Sequence, residues 1–206
     1  MTTMLKSNLI GSANLSPHGF EEPKFLDRRA RADNRGPDRA CRGTTAWNRW
    51  GSLTLRPIES MMADLFLQHL ERLDDASRLS RFGMVADDAF LRTHTERAIG
   101  ERCLSIGCFE GGDLRGVAEL HDLGPGRWQI LELALSVEPP FQSQGIGKAL
   151  ARRAVTTARE LDAGEIHTCF NVANHRMKAI AQGLPMTLDY DWPFVTGTQV
   201  LRRTRG

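Results

Sequence analysis

The segment from Val137 to Leu150 constrains the fold more than any other part of this 206-residue chain. It reads as an apolar strand ending at Val137, a turn with glycines at 145 and 147, and a helix rich in alanine and arginine. A helix start has amide N–H groups without partners and a partial positive charge, so it attracts anions, and glycine lets a ligand approach the main chain. The segment therefore predicts a strand–turn–helix unit that binds a phosphate group.

The spacing of these residues excludes two common nucleotide motifs. A P-loop requires a glycine where this chain has Gln142, and a serine or threonine where it has Ala149. The dinucleotide-binding fingerprint requires a third glycine where the chain has Leu150. What remains is the pattern Gln142-x-x-Gly145-x-Gly147 after a strand. Taken alone, these six positions are equally compatible with a glycine-rich turn that binds nothing.

The remaining pattern resembles the signature of the GCN5-related N-acetyltransferase (GNAT) superfamily, Gln/Arg-x-x-Gly-x-Gly/Ala at a strand-to-helix junction. The resemblance implies that main-chain amides of the loop bind the pyrophosphate of acetyl-CoA and that the preceding strand pairs with the pantetheine arm. It also implies that Asn174, which we expect to cap the next short helix, faces the cofactor. Carried over residue by residue, the cofactor-binding set is Leu135, Val137, Gln142, Gln144, Gly145, Gly147, Lys148 and Asn174.

The pattern of the remaining chain agrees with this resemblance. Periodicity and turn residues predict one strand, two helices, three antiparallel strands, a long helix, a strand, a short helix and two strands. This order resembles that of a GNAT acetyltransferase over about 52–203. The sequence therefore predicts an α/β (α+β) chain with the GNAT acyl-CoA N-acyltransferase fold, a mixed, mostly antiparallel central sheet flanked by helices. The predicted ranges are 52–58, 60–72, 88–100, 103–109, 114–122, 128–137, 147–162, 166–170, 174–181, 186–192 and 198–202, with 78–82 as a short turn.

The resemblance implies an acetyl-CoA-dependent N-acetyltransferase that acts by direct attack in a ternary complex. The acceptor is an amine, on a small molecule or on a protein lysine or N-terminus, and its identity is open. Leu-x-Leu-Arg-Pro-Ile at 53–58 and Ser-Arg-x-x-Arg-Phe at 77–82 resemble the subgroup found in protein-lysine acetyltransferases. Dimers are common in this fold, so a homodimer stays open as an assembly.

Three residues are candidates for proton transfer, which the amine needs before it can attack. Glu132 precedes the loop on the same strand, near a position where some family members carry a catalytic glutamate. It is one residue off that position when counted from Val137, a difference that a β-bulge would correct. Glu119 and His121 share a face of the neighbouring strand and could relay a proton. The alternative interpretation of all three is that they are solvated strand residues.

The resemblance fails at one position. Many family members carry a tyrosine acid seven residues after the helix-capping asparagine, and counting from Asn174 gives Ala181. The only tyrosine of the chain, Tyr190, falls in a predicted strand beyond that helix. The proton donor for the leaving thiolate is therefore unassigned, and a non-catalytic acyl-CoA-binding regulatory domain remains the alternative function.

The first 50 residues differ from the rest. They hold nine Lys/Arg against five acidic residues, a net of +4, which leaves −2 for the remainder of a chain whose total is +2. Because they offer little apolar surface to bury, we expect a disordered basic leader at 1–50 and one acetyltransferase domain at 51–206. Nucleic-acid binding through the leader is a second alternative, but interleaved acids make nucleic acid an unexpected partner.

Composition limits the remaining classes. No apolar run approaches the roughly 20 residues that span a bilayer, and the N-terminus lacks the apolar segment of a signal peptide, so we expect a cytoplasmic protein without a membrane partner. The six histidines show no His-x-x-x-His spacing. No Cys-x-x-Cys occurs either, so we expect buried thiols and no metal site. The cysteines are Cys41, Cys103, Cys108 and Cys169.

Overall fold

Residues 53–201 are described by a computed structural model of the chain. The predictions for 1–50, including the disordered leader, lie outside these residues. Within residues 53–201, none of the helices is long and apolar enough to cross a membrane. The strands are β1 (Thr54–Pro57), β2 (Cys103–Glu110), β3 (Asp113–Asp122), β4 (Ile130–Val137), β5 (Glu165–Asn171), β6 (Thr187–Asp191) and β7 (Phe194–Val200). The helices are α1 (Ala63–Glu71), α2 (Asp75–Phe82), α3 (Asp88–Ala98), α4 (Ile146–Glu160) and α5 (His175–Gln182), with 3₁₀ turns at Ser60–Met62 and Pro139–Phe141.

The seven strands form one sheet in the order β1-β2-β3-β4-β5-β7-β6. Neighbouring strands pair antiparallel except β4 and β5, which are parallel. A parallel pair needs a crossover connection, and the amphipathic helix α4 supplies it. The predicted mixed, mostly antiparallel sheet flanked by helices is confirmed.

Strands β4 and β5 pair only at their amino ends. The pairing joins Ile130–Glu132 of β4 to Glu165–His167 of β5, although the two strands continue to Val137 and Asn171. We call the gap beyond the paired residues the β4–β5 cleft. Main-chain N–H and C=O groups along such an edge need partners, so a ligand that carries amides can pair with it as another strand would.

Two buried clusters lie on opposite faces of the sheet. Helix α4 covers one face, where its Leu150 packs with Leu133 of β4. Helices α1 and α3 cover the other, where Phe66 and Leu91 pack with Val117 of β3. Burying each of these side chains contributes about 1.5–3 kcal/mol. Because side chains alternate along a strand, the residues of β3 and β4 that do not face α4 face these helices.

The predicted turn at 78–82 is wrong, because these residues belong to helix α2. The Asp74 carboxylate accepts a hydrogen bond from the Ser77 N–H at 2.8 Å, which caps the helix, and Gly83 ends it in the left-handed region at φ 71°. Phe82 is the one residue of α2 that is buried. Its apolar residues Ala76, Leu79 and Phe82 recur at the i, i+3 spacing of a helix, a signal that the turn prediction overlooked because the predicted segment began at 78 and the helix is only eight residues long.

The last strand is a second correction. Strand β7 begins at Phe194 and not at 198, because Phe194 already pairs with Asp191 of β6. Gly197 falls between the predicted strands 186–192 and 198–202, but in the structure it lies inside β7. A Cβ at Gly197 would lie 3.0 Å from Thr168 Cγ2, so this glycine permits close packing against β5.

Candidate active site

The residues from Gln142 to Lys148, which we call the glycine loop, connect the end of β4 to α4. Gly145 is the N-cap of α4 and has φ 92°, a left-handed conformation that glycine adopts without strain. A Cβ at Gly145 would have no heavy atom within 4 Å, so this position faces open space. The first turn of α4 contains no acidic residue and receives no side-chain cap.

The amides at the start of α4 are not bonded within the helix and could bind an anion. The first helical bond is donated by Ala149 N–H to Gly145 O at 3.0 Å. The N–H groups of Ile146, Gly147 and Lys148 precede it, so they point out of the helix start. A Cβ at Gly147 would lie 3.0 Å from Ile180 Cδ1, which is why a residue without a side chain lets α5 approach here.

Both glutamines of the loop use their side chains to hold its shape. Gln142 Nε2 donates to Val137 O and to Ser77 Oγ, each at 2.9 Å. Gln144 Nε2 donates to Pro140 O at 2.6 Å. Their side-chain donors therefore bond the protein itself, which leaves the main-chain amides of the helix start and the exposed Lys148 as the groups of the loop that could meet a ligand.

Asn174 caps α5, as the sequence predicted. Its Oδ1 accepts from Met177 N–H at 2.9 Å. Its Nδ2 donates to Ser80 Oγ of α2 at 2.7 Å. Since Ser77 bonds Gln142 on the β4 side, α2 contacts site residues on both sides of the β4–β5 cleft.

Glu119 is fully buried and is the centre of a charged cluster, which we call the Glu119 cluster and which includes Arg81, His94 and His121. Arg81 Nη2 donates to Glu119 Oε1 at 2.7 Å. The other oxygen lies 2.8 Å from His94 Nε2 and 3.1 Å from His121 Nε2. Burial raises the pKa of Glu119, but Arg81 and His94 outweigh it and hold that pKa well below its usual range. The interpretation of Glu119 as a solvated strand residue is therefore wrong.

His121 and Glu132 lie side by side in the sheet register. Burial lowers the pKa of His121, but hydrogen bonds with Cys103 and Glu119 outweigh it and raise that pKa to about 10. His121 of β3 is the register partner of Glu132 of β4, which in turn pairs with His167 of β5. Burial raises the pKa of Glu132, although His121, Arg81 and His167 partly offset this. Glu132 therefore holds a proton more tightly than an ordinary glutamate.

The bulge that would move Glu132 to the family position is not in β4. Its register with β3 runs one to one, from Leu131 opposite Asp122 to Val137 opposite Gly116. Glu132 consequently lies on the same face as His121, the face covered by α1 and α3. It is also the last residue of β4 that pairs with β5, so it stands at the base of the β4–β5 cleft.

Two of the cysteines are buried, and one of these lies near Glu119 and His121. Cys103 and Cys108 are buried, and burial raises the pKa of Cys108 to about 12, which agrees with unreactive thiols. Ligand atoms of Cys103, Glu119 and His121 lie within 4.8 Å of one another, a grouping that chain spacing did not reveal. Both Glu119 oxygens are already bonded, and the Arg81 guanidinium on one of them opposes the binding of a cation.

The position of the family tyrosine is occupied by Ala181, which is fully buried. Tyr190 lies on β6, the last strand of the sheet, with 53% of its surface exposed. Lys178 Nζ lies 5.3 Å from the centre of its ring. The structure therefore gives Tyr190 a surface contact and does not bring it to the Glu119 cluster.

Comparison with known proteins identifies the chain. The sheet order, the β4–β5 cleft and the glycine loop agree with the acyltransferase fold that the sequence predicted. The model of the Acetyltransferase (GNAT) family matches residues 67–182, more than half of the chain. The chain belongs to this family and is an acetyltransferase by that membership.

Solved structures share this fold at low sequence identity. The GNAT domain of S. lividans PAT aligns with TM-score 0.65 and 19% identity, covering 73% of this chain and 92% of that one. The structure of yncA from Salmonella typhimurium, solved with acetyl-CoA, aligns with TM-score 0.59 and 15% identity, covering 75% of this chain and 96% of that one. The PaiA N-acetyltransferase of Thermoplasma acidophilum, in complex with coenzyme A, aligns with TM-score 0.57 and 15% identity, covering 73% of this chain and 99% of that one. Among curated proteins, no sequence matches this chain significantly.

Sequence reasoning missed Arg81 and His94, which complete the Glu119 cluster. Arg81 lies on α2, where the sequence predicted a turn at 78–82. His94 lies on α3, which was predicted, but its contact with β3 depends on how α3 packs across the sheet. One signal was present in the chain: Ser77, Ser80 and Arg81 have the i, i+3, i+4 spacing of one helical face.

Proposed function

We propose that this chain transfers the acetyl group of acetyl-CoA to an amine by direct attack within a ternary complex. The observation that carries the proposal is the position of Glu132. A partly buried carboxylate of raised pKa stands at the base of a cleft between parallel strands, and the glycine loop begins beyond the far end of the same strand. On this proposal the donor-binding edge and the base belong to one strand, with Val137 and Glu132 five residues apart.

The donor fits the loop and the cleft by its charge and shape. The amides of Gly145, Gly147 and their neighbours, with Lys148, would hold the diphosphate, and helix α4 adds the partial positive charge of its N-terminus. The main chains of Leu135 and Val137 would pair with the pantetheine amides along the edge of β4. Asn174 would face the same arm from α5. Gln142 and Gln144 act by fixing the loop, since their side-chain donors are used within the protein.

Glu132 is the proposed general base. An alkylamine is mostly protonated at neutral pH and must lose a proton before its lone pair can attack the thioester carbonyl. A carboxylate whose pKa is raised accepts that proton more readily than an ordinary one. His121 and Glu119 tune this base: the Glu119 cluster holds His121 beside Glu132, and the positive ring keeps the pKa of Glu132 from rising further.

The remaining steps need little from side chains. Attack of the neutral amine gives a tetrahedral adduct whose oxyanion can be bound by main-chain N–H groups at the β4 edge. The adduct ammonium loses its remaining extra proton to solvent, and collapse of the adduct then expels the CoA thiolate and leaves the neutral amide product. With Ala181 at the tyrosine position, we assign no side-chain acid, and the thiolate takes its proton from solvent. No acyl-enzyme intermediate is required.

The acceptor is proposed only as a class, an amine on a small molecule or a protein. The 77–82 pattern that resembles protein-lysine acetyltransferases has structural duties here: Arg78 donates to three main-chain carbonyls, and Arg81 holds Glu119. These duties do not identify the acceptor, so on the resemblance alone we propose protein lysines as the first acceptors to test, followed by protein N-termini and small polyamines.

The test is a matched pair of variants at Gly145. Gly145→Asp puts a negative charge at the helix start in open space, and Gly145→Asn adds the same volume without charge; both side chains tolerate the left-handed region. We expect acetyl-CoA to raise the melting temperature of wild type and of Gly145→Asn, but not of Gly145→Asp. Thiol release with an amine panel then separates an enzyme from an acyl-CoA-binding regulatory domain, which would show stabilisation without turnover. A wild type that gains no stability at saturating acetyl-CoA would falsify the proposal.

A further inference from the structure

A second buried network lies where β4 ends and the glycine loop begins. Its centre is Glu138, which has 3% of its surface exposed. Glu138 Oε1 accepts from Arg72 Nε at 2.8 Å and lies 3.3 Å from His69 Nδ1. Glu138 Oε2 lies 3.3 Å from Arg115 Nη1. One carboxylate is thus held from two sides, by α1 and by β3.

His69 extends the network to the preceding turn of the main chain. The ring is fully buried, and burial lowers its pKa, so it is neutral at neutral pH. Pairing with the carboxylate places the proton on Nδ1, which donates to Glu138, and Nε2 accepts from the Ser136 hydroxyl at 2.9 Å. Ser136 and Glu138 flank Val137, so one ring fixes the side chains on both sides of the last residue of β4.

Arg115 holds the next residues of the chain. Its guanidinium carbon lies 4.8 Å from the centre of the Phe141 ring. Phe141 N–H donates to Glu138 O at 2.9 Å, and Glu138 N–H donates to Arg115 O at 3.0 Å. The segment 138–141, which leads directly into Gln142, is therefore fixed at both ends by the same arginine.

We propose that Glu138 is a positioning residue for the glycine loop. By tying the end of β4 to α1 and β3, its carboxylate sets the direction in which the loop leaves the sheet, and hence the aim of the amides toward a diphosphate. The inference rests on the proposed function, because it takes CoA as the ligand. Glu138 itself does not contact the donor.

Simple electrostatics predicts the opposite sign. A carboxylate near an anion site repels the anion, so its removal should tighten diphosphate binding if charge alone mattered. The positioning role predicts weaker binding, because Arg72 and Arg115 lose the partner that fixes them and the loop loses its anchor. The sign of the change therefore separates the two explanations.

The experiment compares CoA with pantetheine, which lacks the diphosphate, by titration calorimetry. In Glu138→Gln we expect the Kd of CoA to rise about tenfold, while that of pantetheine stays within about twofold. With acetyl-CoA and an active acceptor, KM should rise by a similar factor and kcat should stay within about twofold. The control is Glu110→Gln, since Glu110 is the other glutamate of Arg115, at 3.5 Å from its Nε, and lies on β2, two strands away from β4.

Two results would overturn the inference. An unchanged or lower Kd for CoA contradicts positioning, and an equal loss for CoA and pantetheine indicates a general structural role. If Glu138→Gln does not fold, Arg72→Ala is used instead, since it removes the 2.8 Å contact to Glu138 from a side chain that is 38% exposed. The changes in the Kd of CoA and of pantetheine are then compared in that variant. A wild type that binds no CoA overturns the proposed function and this inference together, whereas normal CoA binding by both proteins overturns this inference alone.

Discussion

The glycine loop follows the carboxyl end of β4, whereas the Glu119 cluster lies further back in the sheet, where Glu119 is opposite Ala134, and the two regions are built from different groups. The loop presents main-chain amides, and its side chains bond the protein itself, as Gln142 and Gln144 do. The cluster is made of ionisable side chains from α2, α3 and β3 that meet only in the folded sheet. A main-chain site depends on local conformation, and a side-chain cluster depends on register and helix packing.

The glycine loop and the Glu119 cluster should respond differently to substitution. Apart from Gln142 and Gln144, whose side chains hold the loop's shape, loop residues can change their side chains with little effect unless the backbone angle or the charge at the helix start changes. In the Glu119 cluster every side chain is a partner of another, so each single change leaves a buried charge or donor uncompensated. We therefore expect effects on the cluster side of the molecule to be large and strongly coupled.

The largest expected effect is on catalysis at the base of the cleft. Glu132→Gln removes the proposed base with little change in volume, and kcat should fall about 10²–10³-fold, or about 3–4 kcal/mol of barrier. In wild type, the acid limb of kcat/KM should have an apparent pKa above the ordinary glutamate value, because burial raises the pKa of Glu132. In the variant that limb should disappear.

Glu165→Gln is the matched control for Glu132. Glu165 also lies in the paired part of β5 and lies 2.9 Å from His167 Nε2, but its side chain is 42% exposed. Its replacement should leave kcat within about threefold, as for other surface changes. If Glu132→Gln keeps kcat within the same range, the base lies elsewhere and the division between the two regions must be redrawn.

The second effect is on stability and belongs to the Glu119 cluster. Arg81→Met removes one of the three partners of a fully buried carboxylate, and we expect a loss of about 2–3 kcal/mol in the free energy of unfolding. Adding Glu119→Gln should recover part of this loss, because it removes the unpaired charge. Urea denaturation of the two single variants and the double variant measures the coupling. Strictly additive losses would contradict a shared cluster.

The contrast also explains what the sequence could predict. The glycine loop, its strand and α4 follow one another in the chain, so spacing alone located Gly145 and Gly147. Asn174 was found for the same reason, since a helix cap is a local feature. Glu119, His121 and Glu132 were selected by their faces and nearness to the loop, but the one-to-one register that joins His121 to Glu132 follows from pairing of β3 with β4 and is not written in either strand.

Helix α2 is the clearest failure. Its cap, Asp74, its stop, Gly83, and the i, i+3 spacing of Ala76, Leu79 and Phe82 are all in the sequence, but the helix is only eight residues long and Phe82 alone is buried. Its attachment is polar and long-range, through Ser77, Ser80 and Arg81 to partners 38 to 94 positions away. Such contacts have no signature in a single sequence, so the partners of Glu119 could not be named before the fold was known.

A smaller effect should appear in the pH dependence of stability. The pKa of His121 is raised to about 10 in the folded state, so its contribution is fully present below the unfolded value near 6.5 and is lost as pH rises toward 10. The free energy of unfolding of wild type should therefore fall between pH 6.5 and 10 more steeply than that of His121→Gln. His175→Gln, at an exposed histidine, should retain the wild-type slope. Equal slopes in wild type and His121→Gln would contradict the raised pKa.

The smallest expected effect tests whether α2 connects the two regions. Ser80→Ala removes a hydrogen bond to Asn174 but leaves the cap on Met177 in place, and Ser77→Ala removes one to Gln142. Each should cost about 0.5–1 kcal/mol. Because Phe82 is the only buried residue of α2, loss of both bonds should speed hydrogen exchange of its amides while α1 and α3 stay protected. If exchange in α2 is unchanged in the double variant, the contacts of Arg78, Arg81 and Phe82 hold this helix without the two serines, and the loop and the cluster are independent.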